Sequence, residues 1–302
     1  MANPFRLPAA FFNSLGFSRG VFRDWHYVAE DEEALGEIAD KALVLLGSIP
    51  ENIRSGCVRR SEKTEDGGTL LMRVNRCGKR FMGLFCPLYY LPHIRSFDGA
   101  LIMLKEGLPT VRPVAFLERG GGLRPLDTVV AFRLPPGFLP LPEFLASLTR
   151  VPDPLCSAAW RGMGAALGST HARGYVAGIT EPAQVFVRRL KKGGVEVALE
   201  AGGEFDVRPV LRRAKEYADM AAANFVFDPR IAPLDRLRFF DAYRKARGMD
   251  KKEMREFIEG VSEAVRLRAM KEWKIYPTDI PKKTTFLNLI RALDKHSEQT
   301  GE

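Results

Sequence analysis

The chain has 302 residues, 46% hydrophobic and 27% charged, which excludes wholesale disorder, a collagen-like rod and a coiled coil, and allows two lobes on one chain. Forty-six basic against thirty-seven acidic residues give a formal charge of +9, so anionic partners come into consideration. The positive charge is spread out, however, and no aromatic-interleaved basic stripe accompanies it, so nucleic acid is not an expected partner. Cys57, Cys77, Cys86 and Cys156 form no CxxC pair and have no histidine at ligand spacing, which argues against zinc and against a disulfide framework. They read as small buried thiols in a reducing compartment.

The first twenty residues are apolar and aromatic, but Pro4, Arg6 and Pro8 interrupt them and no cleavage site follows, so they read as mature sequence. They are the one candidate for peripheral membrane contact. No stretch approaches the ~20 apolar residues of a spanning helix. Residues 31–47 are predicted helical, acidic at the start and ending at Gly47. Three runs near 56–61, 69–76 and 79–86, split by turn residues, predict an antiparallel meander. A helix is predicted over about 92–106, with Gly107 in the left-handed position beyond its end. Two more strands follow near 112–118 and 126–133, and Pro135, Pro136 and Gly137 mark a boundary.

Beyond that boundary the pattern turns helical. A short helix is predicted over 141–150. Asp153 and Pro154 then form a start signal, an N-cap followed by proline at the first helical position. Cys156, Trp160, Met163 and Leu167 mark one face of that helix, which ends at Gly174. A hairpin follows, with Lys191 to Gly194 as its turn and Arg188, Arg189, Lys191 and Lys192 as a solvated basic tip. Helices are predicted over about 207–223, 234–247, 250–272 and 284–296, and Asp250 and Glu253 have capping-box spacing.

Five strands, one helix after the third, a linker, a helix, a hairpin and then helices is the element order of a protein kinase. From about 69 to 247 the chain resembles the bacterial lipopolysaccharide kinases of the Kdo/WaaP type. MLKEGLPTVRPVAFLE resembles the family's end of helix C and strand 4. TVVAFRLPPGFLPLPEFLA resembles strand 5, the hinge and the next helix, LGSTHARGYVAGITEPAQVFV the catalytic-loop segment, and FFDAYRKARG a late C-lobe helix. The resemblance implies an α+β, bilobal protein-kinase-like fold with a five-stranded antiparallel N-lobe and a mainly helical C-lobe. The expected divisions are an N-terminal extension with one helix over 1–54, an N-lobe over 55–137, and a C-lobe with a helical extension over 138–302.

Laid onto the family's motifs, the chemistry departs. Phosphoryl transfer needs a carboxylate near the acceptor hydroxyl, a lysine on the phosphates and two side chains on magnesium. Anchored on His171, Gly174 and Pro182, the base position falls on Ile179 and the metal Asn position on Gln184. His171 itself reads as a helix-end packing residue. The metal-binding Asp-Phe-Gly motif becomes Glu200-Ala201-Gly202, where Glu200 keeps a hard oxygen for magnesium. The phosphate lysine falls on Leu84, with Lys79 and Arg80 at the strand start, and Asp98 is its partner acid on helix C. Glu65 to Gly68, where a phosphate loop belongs, carries two acids and reads as a plain β-turn.

Isoleucine cannot take a proton, and losing base, lysine and metal ligands together removes most of the electrostatics of catalysis. The first expectation is a pseudokinase acting by binding or regulation in bacterial envelope-glycan biosynthesis. Its partner would be lipopolysaccharide core or an envelope-biosynthesis protein, and it would be cytoplasmic, at the inner face of the inner membrane. The alternative is an active atypical kinase acting on a core sugar, in which ATP and magnesium are cofactors, Glu200 holds the metal and Glu181 or Asp206 supplies the carboxylate. A third reading, an unrelated basic interaction module, requires a structure without two lobes.

Overall fold

Strand periodicity accounts for the first half of the molecule. A computed structural model describes residues 9–31, 34–48, 55–77, 92–120, 126–149, 153–207, 212–226, 228, 230–272, 286, 288 and 289. It divides into two compact units, Met1–Phe138 and Leu139–Glu302.

In the first unit, α1 (Ala9–Asn13) leads into the strands β1 (Ser18–Phe22) and β2 (Trp25–Ala29), then the helix α2 (Leu35–Gly47). The hairpin β3 (Ser55–Lys63) and β4 (Thr69–Cys77) follows, then α3 (Pro92–Lys105), β5 (Arg112–Gly120) and β6 (Leu126–Leu134). The strands form one six-stranded sheet in the order β1-β2-β5-β6-β4-β3, with every neighbouring pair antiparallel. This corrects the expected five strands. Four of the expected five strands are among the six, as β3, β4, β5 and β6; the other two are β1 and β2 of Ser18–Ala29, a hairpin the sequence reading left without strands, which pairs with β5 from His26 opposite Glu118 to Ala29 opposite Ala115. The expected strand near 79–86, and with it Lys79, Arg80 and Leu84, lies outside the described residues.

Successive strand side chains point to opposite faces, and the sheet uses both. Met72 and Val74 of β4, Ala115 and Leu117 of β5, and Val129 and Ala131 of β6 pack with Leu35, Ile38, Ala42 and Leu46 of α2. The intervening residues serve α3 on the other face: Phe116 meets Phe97 with ring centroids 5.8 Å apart, and Phe17 meets Phe97 at 6.0 Å. Helix α3 ends as its sequence requires. Gly107 has φ 64°, Gly107 N–H donates to the Leu104 carbonyl and Leu108 N–H to that of Met103. Helix α2, by contrast, runs through Gly47 and is capped at Ser48, whose hydroxyl donates to the Leu45 carbonyl at 2.6 Å.

The second unit follows β7 (Phe138–Pro140) with α4 (Leu141–Ala146), shorter than the 141–150 expected, and the long helix α5 (Pro154–Ala172). A 3-10 turn (Pro182–Gln184), the hairpin β8 (Val185–Arg189) and β9 (Val195–Leu199), and helices α6 (Arg212–Asn224), α7 (Pro233–Arg247) and α8 (Lys251–Glu272) complete it. The three strands form a sheet in the order β7-β8-β9. Asp153 caps α5 by accepting from Leu155 N–H at 2.8 Å. At the start of α8, Asp250 accepts from Glu253 N–H at 2.8 Å while Glu253 accepts from Asp250 N–H at 3.0 Å, the reciprocal box read from the sequence.

Helices α5 and α7 touch backbone to backbone. A Cβ on Gly164 would lie 2.2 Å from the Phe239 carbonyl oxygen, and one on Gly168 would lie 2.7 Å from that of Tyr243. Two glycines one turn apart therefore set this packing, and Trp160 seals it edge-on against Phe239 at 6.1 Å. The last predicted helix is described only at Phe286, Asn288 and Leu289, where Phe286 packs on Phe240 with centroids 4.8 Å apart.

Candidate functional site: the loop cluster around Asp219

In the last turn of α5 stands His171, which is buried and held from two sides. Its Nδ1 lies 2.8 Å from the Tyr243 hydroxyl and its Nε2 lies 3.1 Å from an Asp219 carboxylate oxygen. Burial drives the Tyr243 phenol well above its ordinary range, so it remains an O–H. Asp219, on α6, then gathers the loop that follows α5. Its Oδ2 accepts from Ala177 N–H and its Oδ1 from Ile179 N–H, both at 2.8 Å. A single buried carboxylate thus fixes the backbone on both sides of Gly178.

Gly178 has φ 73°, and a Cβ there would lie 2.3 Å from the amide nitrogen of Phe205. The segment beyond β9 closes on the same loop from the other side. Gly202 N–H donates to the Ala177 carbonyl at 2.8 Å, and a Cβ on Gly202 would sit 1.7 Å from the Gly178 carbonyl oxygen. Val176 and Asp206 complete the contact as an antiparallel bridge, and Tyr175 stacks on Phe205 with centroids 6.1 Å apart.

The cluster brings together three of the residues singled out in the sequence. The Ile179 side chain is buried, and its amide serves Asp219. Gln184 is buried with its Oε1 accepting from Thr180 N–H at 2.7 Å, Thr180 Oγ1 at 2.8 Å and Glu181 N–H at 3.2 Å. Backbone amides can only donate, so this atom is the oxygen and the amide orientation is settled. The Gln184 Nε2 is buried without an acceptor, over the Cα of Gly202. Glu200 is fully buried and its N–H donates to the Gln184 carbonyl at 2.8 Å.

Asp98 is buried on α3 in the first unit, and Leu84 is outside the described residues. Of the carboxylates considered as replacements, Asp206 is buried and paired with Lys215 at 2.5 Å, while Glu181 is exposed and opens the 3-10 turn. The turn Thr64 to Gly68 is a plain β-turn, with Asp66 accepting from Gly68 N–H at 3.0 Å. Asp219 was missed in the sequence. A lone aspartate inside a helical stretch has no spacing that separates it from a surface residue.

Magnesium asks for hard oxygens with lone pairs to spare. The Gln184 oxygen already takes three donors on two lone pairs, and its free nitrogen is itself a donor. Among the described residues no three His, Cys, Asp or Glu side chains gather as metal ligands. Gln184 as held here has no lone pair to spare for the ion, which leaves Glu200, of the two expected ligands, as the buried hard-oxygen group.

No protein-family model matches the chain, and no curated protein sequence does. Among solved structures, one of WaaP in complex with acyl carrier protein matches at TM-score 0.52 and 14% identity, covering 81% of this chain and 98% of that one. The fold is kinase-like. A glucosamine kinase in complex with glucosamine, ADP and inorganic phosphate matches at TM-score 0.38 and 13% identity over 94% of this chain and 91% of that one, a depth that carries no inference. No described helix is long and apolar enough to cross a membrane.

Proposed function

We propose that this chain is a lipopolysaccharide-kinase-like pseudokinase that acts by binding, in a regulatory or scaffolding role in bacterial envelope-glycan biosynthesis, at the cytoplasmic face of the inner membrane. The observation that carries the reading is a loop whose backbone amides are held by Asp219 and Gln184. Ile179 stands where the resemblance puts the base, and the Gln184 oxygen that would face a metal is instead the acceptor that shapes residues 180 and 181. A group transferring phosphate needs a carboxylate within reach of the acceptor hydroxyl; of the two candidates, Asp206 is buried and paired with Lys215, and Glu181 is exposed at the start of the 3-10 turn.

The envelope setting rests on the sequence resemblance to lipopolysaccharide kinases. A protein partner is supported by the WaaP structure, itself a complex with acyl carrier protein. The unoccupied role of base separates this reading from an active atypical kinase, in which Glu200 would hold magnesium.

Thermal melting with ATP, with and without magnesium, tests it. The expected result is no metal-dependent stabilisation, together with equal background phosphate transfer to a core oligosaccharide by the wild type and Glu200→Ala. Strong magnesium-dependent stabilisation, with transfer that Glu200→Ala abolishes, would establish the active kinase instead.

A further inference from the structure

Helix α7 presents a second feature of the same unit, on its outer side. A groove of about 550 Å³ runs along it, with Leu234, Leu237 and Ala242 as its apolar wall and Arg161 of α5 facing them. Leu234 and Leu237 are 52% and 44% exposed, and three residues apart they share one helix face as a contiguous apolar patch. From Leu234 to Lys245 the face is roughly 16 Å long, the length of three helical turns.

Its charge is one-sided. Arg161, Arg238 and Lys245 line the groove against one carboxylate, Asp241. That carboxylate is taken already, by Lys245 at 2.7 Å and by Arg244 at 3.0 Å. The two arginines converge on Ser157: Arg161 Nε donates to its carbonyl at 3.4 Å and Arg238 to its hydroxyl. Among the described residues Asp235 is the carboxylate paired with Arg238. It is buried beneath the two arginines, and lies 2.9 Å from Arg238. Two guanidinium groups over one carboxylate leave net positive charge at the head of an apolar trough.

We propose that this groove docks an acidic amphipathic helix of a partner protein, its apolar stripe on Leu234 and Leu237 and its carboxylates on Arg161 and Arg238. The mode is a helix laid in a groove, read through apolar anchors at helical spacing with charge fixing direction. An anionic membrane surface would need a broad basic plane. This site instead sets exposed leucines beside basic residues along about three turns of one helix. The inference deepens the binding reading above and rests on it for its biological sense.

Fluorescence anisotropy on the full chain tests it, with a labelled helical peptide bearing leucines on one face and glutamates on its flanks. Expected are saturable binding that weakens with salt, and a loss of about tenfold or more in affinity with Arg161→Glu and with Leu237→Ser. A peptide with lysines for the glutamates is expected not to bind. Both substituted side chains are exposed, and unchanged melting temperatures verify folding. Failure of the acidic peptide to bind, equal affinity of the variants, or equal binding of the lysine peptide overturns the proposal. So does binding of anionic phospholipid vesicles, in place of the peptide, that the same variants abolish. Magnesium-dependent stabilisation by ATP would overturn the pseudokinase reading while leaving the peptide measurement standing, so the two failures are separable.

Discussion

Asp219 and Asp235 are both buried carboxylates of the second unit, yet they answer to different partners. Asp219 accepts from two backbone amides and sits against a histidine, all within the protein interior. Asp235 accepts from Ala232 N–H at 3.1 Å at the start of α7, from the Ser157 hydroxyl at 2.5 Å, and from Arg238, whose side chain is 41% exposed. The first holds a backbone in one shape. The second anchors a cation that still reaches solvent. The carboxylate that shapes this loop, Asp219, is distinct from Asp206, Glu181 and Glu200, so its backbone is held without them. Charge left over at the surface, meanwhile, is available to a partner.

The contrast is broken most severely at Asp219. Asp219→Ala leaves two buried amides and His171 without their acceptor, and should cost about 4 kcal/mol, a fall of roughly 10 °C in melting temperature. A loss below about 1 kcal/mol in a denaturant titration would mean that the loop is held by something else. Next is Gly202→Ala. Its new methyl would meet the Gly178 carbonyl at 1.7 Å, and that neighbour is backbone, which cannot swing aside. The expected cost is about 3 kcal/mol. A melting curve matching the wild type would show that the two segments separate easily.

How legible was this in the sequence? Elements with local signals were read closely. Asp153 with Pro154, Gly107, and Asp250 with Glu253 each satisfy orphan groups at a helix end, so a few adjacent residues suffice to see them. The β1–β2 hairpin carried no such signal. Its strands have five residues each, and its turn uses Arg23 and Asp24, with φ 55° at Arg23, in place of the glycine or asparagine that usually announces such a turn. Its place in the sheet depends on pairing with β5, almost ninety residues away. The site divides in the same manner. Ile179, Gln184 and Glu200 were singled out by a resemblance that orders them along the chain. Asp219 acts through space on residues forty positions earlier, and only the fold reveals it.

A third buried polar contact, in the first unit, sharpens the contrast through pH. Asn75 on β4 meets His93 on α3 through Nδ2 and Nε2. Burial, helped by the charge of Arg73, lowers the His93 imidazole from 6.5 to about 4, so the ring is neutral in the folded protein and can accept from the asparagine. The unfolded chain takes up this proton near pH 6.5 and the folded chain only near 4. Between those values the unfolded state binds more protons, so stability is full above about 6.5 and falls as pH drops. Partial exposure reduces the linkage to roughly 2 kcal/mol. Melting at about pH 7.5 and about pH 5 should show the loss, and His93→Gln should flatten it. An equal slope in the variant would assign the effect to other groups.

The smallest change expected, and the most discriminating, is at Asp235. Asp235→Asn keeps the shape of the side chain and an oxygen for Ser157 while removing the charge beneath Arg238 and the acceptor of the Ala232 N–H. Arg238 can turn its guanidinium to water, so the loss should be only about 1–2 kcal/mol, including the favourable term of an acid in the first turn of α7. The same substitution adds one net positive charge beside the groove. Affinity for the acidic helical peptide should rise by a few fold at low salt, and the gain should fade as salt is added. Stability and binding would then move in opposite directions from one atom-for-atom exchange. If both fall together, Asp235 supports the groove by shape and the guanidinium pair does not act through its charge.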